Sequence, residues 1–277
     1  MKDELYRYFD TLTSGVAEYS FANLFLFRDT YHYHIAFLDN ETLLIAGEKA
    51  GERFCILPKA ELTKCFTERL LTEFKYIKCV SQEMYEKYSH HIRDWGYELL
   101  EDRDNFDYLY LRSDLAELPG KKYHKKRNMV KNFLDHYVAE DKELSRDNKE
   151  DALYIINKWK QYKEDDVDYK AALEAIELSD ELRMKGRIYY INNEPVAYVL
   201  GESLQQNRSF LVQFEKADHQ FKGIYQYINQ DFVQKLPENY EYINREQDLG
   251  DPGLRQAKES YRPYSFVKKY RIRRIES

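Results

Sequence analysis

A chain of 277 residues with 43% hydrophobic content is long enough to bury two cores, at roughly 100–200 residues per domain. Its formal net charge of -6 excludes a protein that grips nucleic acid over its whole surface, so any attraction to phosphate must come from local basic patches. The three cysteines, Cys55, Cys65 and Cys79, are odd in number and lack CxxC spacing, which argues against a disulfide framework or a metal role and for reduced thiols.

The opening MKDELYRYFD is polar and acidic, unlike a signal peptide. The most apolar windows, Ser20–Phe27 and Thr42–Ala46, are too short to span a bilayer, so a cytoplasmic protein is expected. Leu5, Tyr6, Phe9 and Leu12 predict a short first helix, and Ser20–Arg28 a buried helix or turn. Tyr31–Leu38 reads as a strand with His32 and His34 on one face. No third metal ligand is evident near them, and a half-exposed strand face is the plainer reading. Asp39-Asn40 is expected to turn the chain into strands Thr42–Ala46 and Phe54–Leu57. A helix from Pro58 to Phe74, a strand Tyr76–Val80, a helix Gln82–Trp95 stopped by Gly96, and strands Tyr97–Leu100 and Phe106–Leu111 follow.

Ser113–Gly120 is a polar connector containing proline and glycine, and is the expected boundary between lobes at 1–115 and 116–277. Next comes the densest basic run, Lys121, Lys122, His124, Lys125, Lys126 and Arg127, opening an amphipathic helix continued by Met129, Val130, Phe133, Leu134 and Tyr137. Cations are disfavoured at a helix N-terminus unless an anion sits nearby. A phosphate-contacting segment is therefore favoured over a solvated helix start. Helix Asp151–Tyr162, an acidic break at Glu164-Asp165-Asp166, helix Asp168–Met184, strands Arg187–Ile191, Pro195–Leu204 and Ser209–Phe214, and helix Ile224–Leu236 follow.

Tyr240–Pro263 is the most informative stretch. A short strand passes through the polar run Asn244–Asp248 to Gly250, and Asp251-Pro252 then starts a helix. Leu254, Ala257 and Tyr261 share one face of that helix; Arg255, Lys258 and Arg262 share another. Polar side chains are thereby set at a strand's carboxyl end, where open α/β sheets bind ligands. The alternative is a loop that only satisfies its own turns and caps. A last strand, Phe266–Ile272, is expected in the second lobe. The closing order of the second half repeats that of the first. The fold class expected is mixed α/β (α+β), with two tandem lobes, each a mixed, mostly antiparallel sheet flanked by helices.

This element order resembles the GNAT acyltransferase fold. There the phosphates of the acyl donor sit on a loop of pattern Gln/Arg-x-x-Gly-x-Gly/Ala, and the equivalent here is Gln220-Phe221-Lys222-Gly223-Ile224-Tyr225. Gln220 and Gly223 fit, whereas Tyr225 replaces the small residue and crowds the approach of a pyrophosphate. Three segments, SFANLFLFR from Ser20, LPGKKYHKKRNMVKNF from Leu118 and INREQDLGDPGLRQAKESYRP from Ile243, are similar to the C-terminal domain of phosphatidylglycerol lysyltransferases. The resemblance implies a tandem GNAT architecture related to Fem-type aminoacyltransferases, which move an aminoacyl group from charged tRNA to an amine or hydroxyl. No counterpart of the membrane-embedded segment of full lysyltransferases is present, so a phosphatidylglycerol acceptor is not carried over.

Such chemistry needs a base, oxyanion donors and cations for phosphates. Glu246 or Asp248 is the candidate base, Asn244 and Arg245 are candidate carbonyl or carboxylate donors, and Tyr261 is a proton donor or stacking platform. Lys121, Lys122, Lys125, Lys126 and Arg127, with Gln220, Gly223, Tyr225, Arg255 and Lys258, are the candidate donor and phosphate contacts. No metal or cofactor is required; the donor is acyl-CoA or aminoacyl-tRNA, tRNA the candidate partner, and the acceptor a small molecule, peptide or lipid headgroup. The alternative function is a non-catalytic module that keeps the cleft for tRNA, CoA or a peptide.

Overall fold

The computed structural model describes residues 1–39, 41–161 and 166–275, without the side chains of Asp166 and Val167. The expected turn at Asp39-Asn40 and the acidic break at 164–166 therefore lie wholly or partly outside the described residues. The chain divides into two compact units, one of residues 1–108, 247–252 and 266–277, the other of residues 109–246 and 253–265.

The first unit opens with helices α1 (Lys2–Phe9), α2 (Phe21–Leu26) and α3 (Arg28–Tyr31). Strands β1 (His34–Phe37), β2 (Leu43–Lys49) and β3 (Glu52–Ile56) form an antiparallel meander. Helix α4 (Lys64–Glu73) begins later than Pro58 suggested, because the Thr63 hydroxyl accepts the Phe66 N–H and sets the N-cap there. Strand β4 (Tyr76–Ser81) pairs parallel to β3, helix α5 (Gln82–Asp94) is capped by the Ser81 hydroxyl, and β5 (Tyr97–Glu101) and β6 (Asp107–Leu111) follow. Alternation divides the core between two faces: Phe54, Ile56 and Tyr76 join one cluster, while Cys55 and Ile77 join the other.

The second unit contains α6 (Arg112–Glu117), so the segment expected as a connector is largely helical. A single 3₁₀ turn leads into α7 (His124–His136), then β7 (Ala139–Glu143), α8 (Lys149–Lys160), α9 (Asp166–Glu177), β8 (Lys185–Ile191), β9 (Glu194–Leu204), β10 (Ser209–Ala217), α10 (Ile224–Lys235) and β11 (Tyr242–Asn244). Strands β7 to β10 form an antiparallel meander, and β11 runs parallel to β10. Along β10, Glu215 turns to Asn229 of α10 while Lys216 turns to Trp159 of α8, so these helices cover opposite faces. Helix α11 (Pro252–Glu259) and strands β12 (Ser265–Val267) and β13 (Lys269–Arg274) close the chain.

The strand orders are β1-β2-β3-β4-β13-β5 and β12-β6-β11-β10-β9-β8-β7. The last strand thus belongs to the first sheet, not to the second lobe as expected, and β6 belongs to the second. Its sequence explains why β13 fits between β4 and β5. Tyr270 and Ile272 enter the apolar core on one face, while Arg271 meets Asp102 at 2.8 Å and Arg273 meets Glu98 at 2.8 Å. Lys269, fully buried, donates to Glu18 at 2.5 Å and Asp107 at 2.6 Å. Alternation identifies a strand, but here complementary charge selects its partners.

Candidate functional site

The polar run after β11 divides on folding. Asn244 is fully buried, and its Oδ1 accepts the Glu246 N–H at 2.8 Å, which stabilises a turn with Glu246 in the left-handed region at φ 55°. Lys258 donates its ammonium to the carbonyls of Arg245 and Glu246, the latter at 3.2 Å, and Tyr110 donates to the Lys258 carbonyl at 2.8 Å. Lys258 therefore fixes the loop instead of facing a phosphate. Asp248 belongs to the first unit and is fully buried. It accepts from the Tyr108 hydroxyl at 2.6 Å, Arg103 at 3.2 Å and the Gly250 N–H at 2.9 Å. A carboxylate so enclosed anchors a loop and has no path to a substrate proton.

The basic run also divides. Lys122 pairs with Asp114 at 2.7 Å. Arg127 donates to the carbonyls of Leu118 and Gly120, closing the end of α6. Lys121 and Lys125 are exposed, and Arg255 is half-buried on α11. Lys126 turns inward and lies 3.8 Å from the centroid of the Tyr261 ring. Burial, then the nearby Arg245 guanidinium, lower its ammonium to about 8, against the opposing pull of Glu215. Among the described residues no carboxylate lies within ion-pair distance of Lys126. Arg245 meets Glu215 at 2.9 Å, and both side chains are largely covered. Tyr261 is buried, which raises its hydroxyl well above the usual phenol range, and its backbone carbonyl accepts from Tyr123 at 2.9 Å.

The loop at the start of α10 is closed on itself. Asp218 accepts the Gln220 N–H at 3.0 Å and pairs with Lys158 at 2.5 Å, so the first N–H of the expected phosphate loop is taken up by a carboxylate of the chain. The hydroxyl of Tyr225 accepts the Ala217 N–H at 3.2 Å. Gly223, at φ 92°, is required by packing: a Cβ there would meet the Met129 carbonyl oxygen at 2.6 Å. The glycine of the loop pattern thus serves a close approach to α7, and the tyrosine serves the turn.

A family model for the phosphatidylglycerol lysyltransferase C-terminal domain matches residues 9–273. The chain belongs to that family. In broad class this is an aminoacyltransferase-like family. A crystal structure of a conserved protein of unknown function from Bacteroides thetaiotaomicron VPI-5482 is similar over 98% of this chain and 95% of its own, with TM-score 0.86 and 29% identity. FemX is similar over 98% of this chain and 95% of its own, with TM-score 0.64 and 9% identity, and at that identity shows the fold alone. An uncharacterized protein of Mycoplasmoides gallisepticum is 24% identical over 178 residues, 61% of this chain and 56% of that protein, so the match covers little more than half the length of that curated relative.

Within this lysyltransferase-domain chain, Lys126, Arg245 and Tyr261 are brought together in the second unit, whereas Asp248 lies in the first. Sequence reasoning missed Glu215, Gln226, which hydrogen-bonds the Tyr261 hydroxyl, and Asn229, whose Nδ2 lies 3.5 Å from Glu215. Glu215 reads as one more charge in a strand, and only the side-chain contact in the folded chain shows that it meets Arg245. Among the described residues no cluster of histidine, cysteine or acidic side chains has the arrangement of a metal site, and no helix is long and apolar enough to cross a membrane.

Proposed function

We propose that this chain transfers an aminoacyl group from charged tRNA to an amine- or hydroxyl-bearing acceptor, and that Lys126, Arg245 and Tyr261 receive the charged end of the donor. The observation that carries this reading is Lys126, a half-buried ammonium resting on an aromatic ring beside a guanidinium, without an ion-pair partner among the described residues. Two cations and one carboxylate leave the pocket with an excess positive charge, which a phosphate or the oxyanion of an acyl-transfer step neutralises. The exposed Lys121 and Lys125 extend the basic surface for a polyanion. An acyl-CoA donor fits less well, because Asp218 already takes up the Gln220 N–H and Tyr225 stands where the loop pattern has a small residue.

Glu246 is the remaining candidate base, and its activated-ester substrate requires no cofactor. Glu246→Gln should abolish transfer and leave donor binding intact; retained turnover would remove it from that role. The acceptor is an amine or hydroxyl on a small molecule, a peptide or a lipid headgroup. The deciding experiment is titration of the purified chain with charged tRNA, deacylated tRNA and acetyl-CoA at low and moderate salt. Saturable, salt-sensitive binding that prefers the charged form supports the reading, and tight binding of acetyl-CoA alone would replace it with an ordinary acyltransferase. A second reading, a module that holds the donor without turnover, is favoured by the use of Asn244 and Asp248 in folding. Failure to convert bound charged tRNA with any amine or hydroxyl acceptor would move that reading to the front.

A further inference from the structure

The basic run from Lys121 to Arg127 holds one tyrosine, Tyr123, and folding treats it unlike its neighbours. It is fully buried, in a small core with Leu118 and Val130 that packs against Tyr227. A tyrosine sealed in a core needs a partner for its hydroxyl. Tyr123 lies within reach of two, the Tyr261 carbonyl oxygen at 2.9 Å and Asp114 Oδ2 at 3.3 Å. A hydroxyl has one hydrogen to give. The Tyr261 carbonyl is the nearer acceptor, and Asp114 already takes a hydrogen bond from Lys122 at 2.7 Å. Burial, then Asp114, hold the hydroxyl well above the usual phenol range against the pull of Arg262, so it stays a donor. The carbonyl it meets stands past the end of α11, where no helical N–H is available. Arg262 follows it in the left-handed region at φ 55°. Lys126 stands three residues after Tyr123, one turn into α7 and on the same side, and its ammonium lies 3.8 Å from the centroid of the Tyr261 ring.

We infer that Tyr123 is a positioning residue, whose hydroxyl clamps the backbone of Tyr261 so that its ring stays under the Lys126 ammonium and beside Arg245. One turn of chain thus grips a single residue at two points, its carbonyl and its ring. The two contacts are unequal. A hydrogen bond fixes distance and direction, whereas a cation above a ring can slide. Lys126 also has reason to leave, because burial and Arg245 disfavour its charge and Glu215 is engaged by Arg245 at 2.9 Å. With Tyr261 held, the ammonium and the guanidinium both stay on its ring, and the two cations converge. With Tyr261 released, the ring shifts and the amine turns back to water. That this pair of cations receives the anionic end of a donor rests on the function proposed above; the clamp itself does not.

The test reads Lys126 in the full chain. With isotope-labelled lysine, NMR follows its ε-carbon through the titration, and Lys126→Met identifies the signal. The midpoint should be about 8 in the wild-type chain and at least about one unit higher in Tyr123→Phe, which keeps the ring and loses only the hydroxyl. The ring current of Tyr261 should move the Lys126 ε-methylene protons upfield in the wild-type chain and less so in the variant. Inorganic sulfate, whose charge is constant over that range, should bind Tyr123→Phe at least about threefold more weakly than the wild-type chain at neutral pH. Tyr123→Phe combined with Lys126→Met should bind sulfate no more weakly than Lys126→Met alone, because the clamp acts through Lys126. Asp114→Asn removes the second acceptor, leaves the bond to Tyr261 and should leave the midpoint in place. If Tyr123→Phe lowers the urea midpoint and leaves Lys126 at about 8, or if Asp114→Asn raises the Lys126 midpoint as far, Tyr123 is a core residue only and the inference is overturned. Unshifted ε-methylene protons in the wild-type chain overturn it without any variant. If the midpoint moves while neither charged tRNA nor sulfate binds the wild-type chain, the clamp stands and the donor reading falls. If the wild-type chain prefers charged tRNA and the midpoint does not move, the donor reading stands without the clamp.

Discussion

In the first unit the fully buried Lys269 is bracketed by Glu18 at 2.5 Å and Asp107 at 2.6 Å, and Lys78 lies 4.0 Å from the other oxygen of Glu18. In the second unit Lys126 and Arg245 share one carboxylate, Glu215, which ion-pairs only with Arg245 among the described residues. The first cluster balances two ammonium groups with two carboxylates. Burial opposes charge on Lys269, yet its two acids hold it protonated well above the usual lysine range. The second cluster carries two cations against one anion, and burial with a like-charged neighbour lowers Lys126 to about 8. A neutral, closed cluster ties strands together, as this one ties β13 into the first sheet. An unbalanced and partly open one is stabilised by whatever anion it receives.

Substitutions sharpen that contrast. Lys269→Met should have the largest effect, a loss of about 3–5 kcal/mol in denaturant unfolding, because two carboxylates remain buried without their cation. A loss under about 1 kcal/mol would mean that the cluster does not hold β13. Gly223→Ala should cost about 1–3 kcal/mol, since the left-handed φ of 92° disfavours a side chain and a Cβ would meet the Met129 carbonyl oxygen. Unchanged stability there would return this glycine to a ligand-facing role. Lys126→Met should leave the chain as stable or more stable at pH 7, because it removes an ammonium that burial and Arg245 disfavour. For binding to tRNA, it should lower the salt slope by about one phosphate contact. An unchanged slope would place Lys126 outside the interface.

The smallest effect is on pH dependence. Lys126 is depressed in the folded chain, so between about pH 8 and the ordinary lysine range the unfolded chain binds the extra proton. That contribution to stability rises with pH across the window while the buried Cys55 and Cys79 thiols, raised by folding, oppose it, so the stability of the wild-type chain relative to Lys126→Met should rise. Anion binding runs the opposite way, weakening as the pH passes about 8 and the ammonium loses its proton. Equilibrium unfolding and tRNA titration at pH 7, 8, 9 and 10 separate the two, and parallel trends would contradict the assignment.

The repeating order of strands and helices was legible in the sequence because side-chain period follows directly from backbone geometry. Alternation in Tyr270 and Ile272 marks β13, and the run from Lys121 to Arg127 marks a basic helix start. What the sequence could not state was partnership. β13 joins the first sheet because its cations meet Glu18, Asp107, Asp102 and Glu98, acids far away along the chain. The same limit governs the site. Asp248 and Glu246 are both acids in one loop, yet folding encloses the first in hydrogen bonds and sets the second in a left-handed turn. Of the five clustered cations, Lys122 and Arg127 find partners in their own fold and Lys126 is turned onto Tyr261. Local sequence determined which segments became helix or strand and which charges the chain carried. Tertiary structure alone decided which of those charges were neutralised, because neutralisation depends on residues brought together across the chain and on how much water is excluded when they meet.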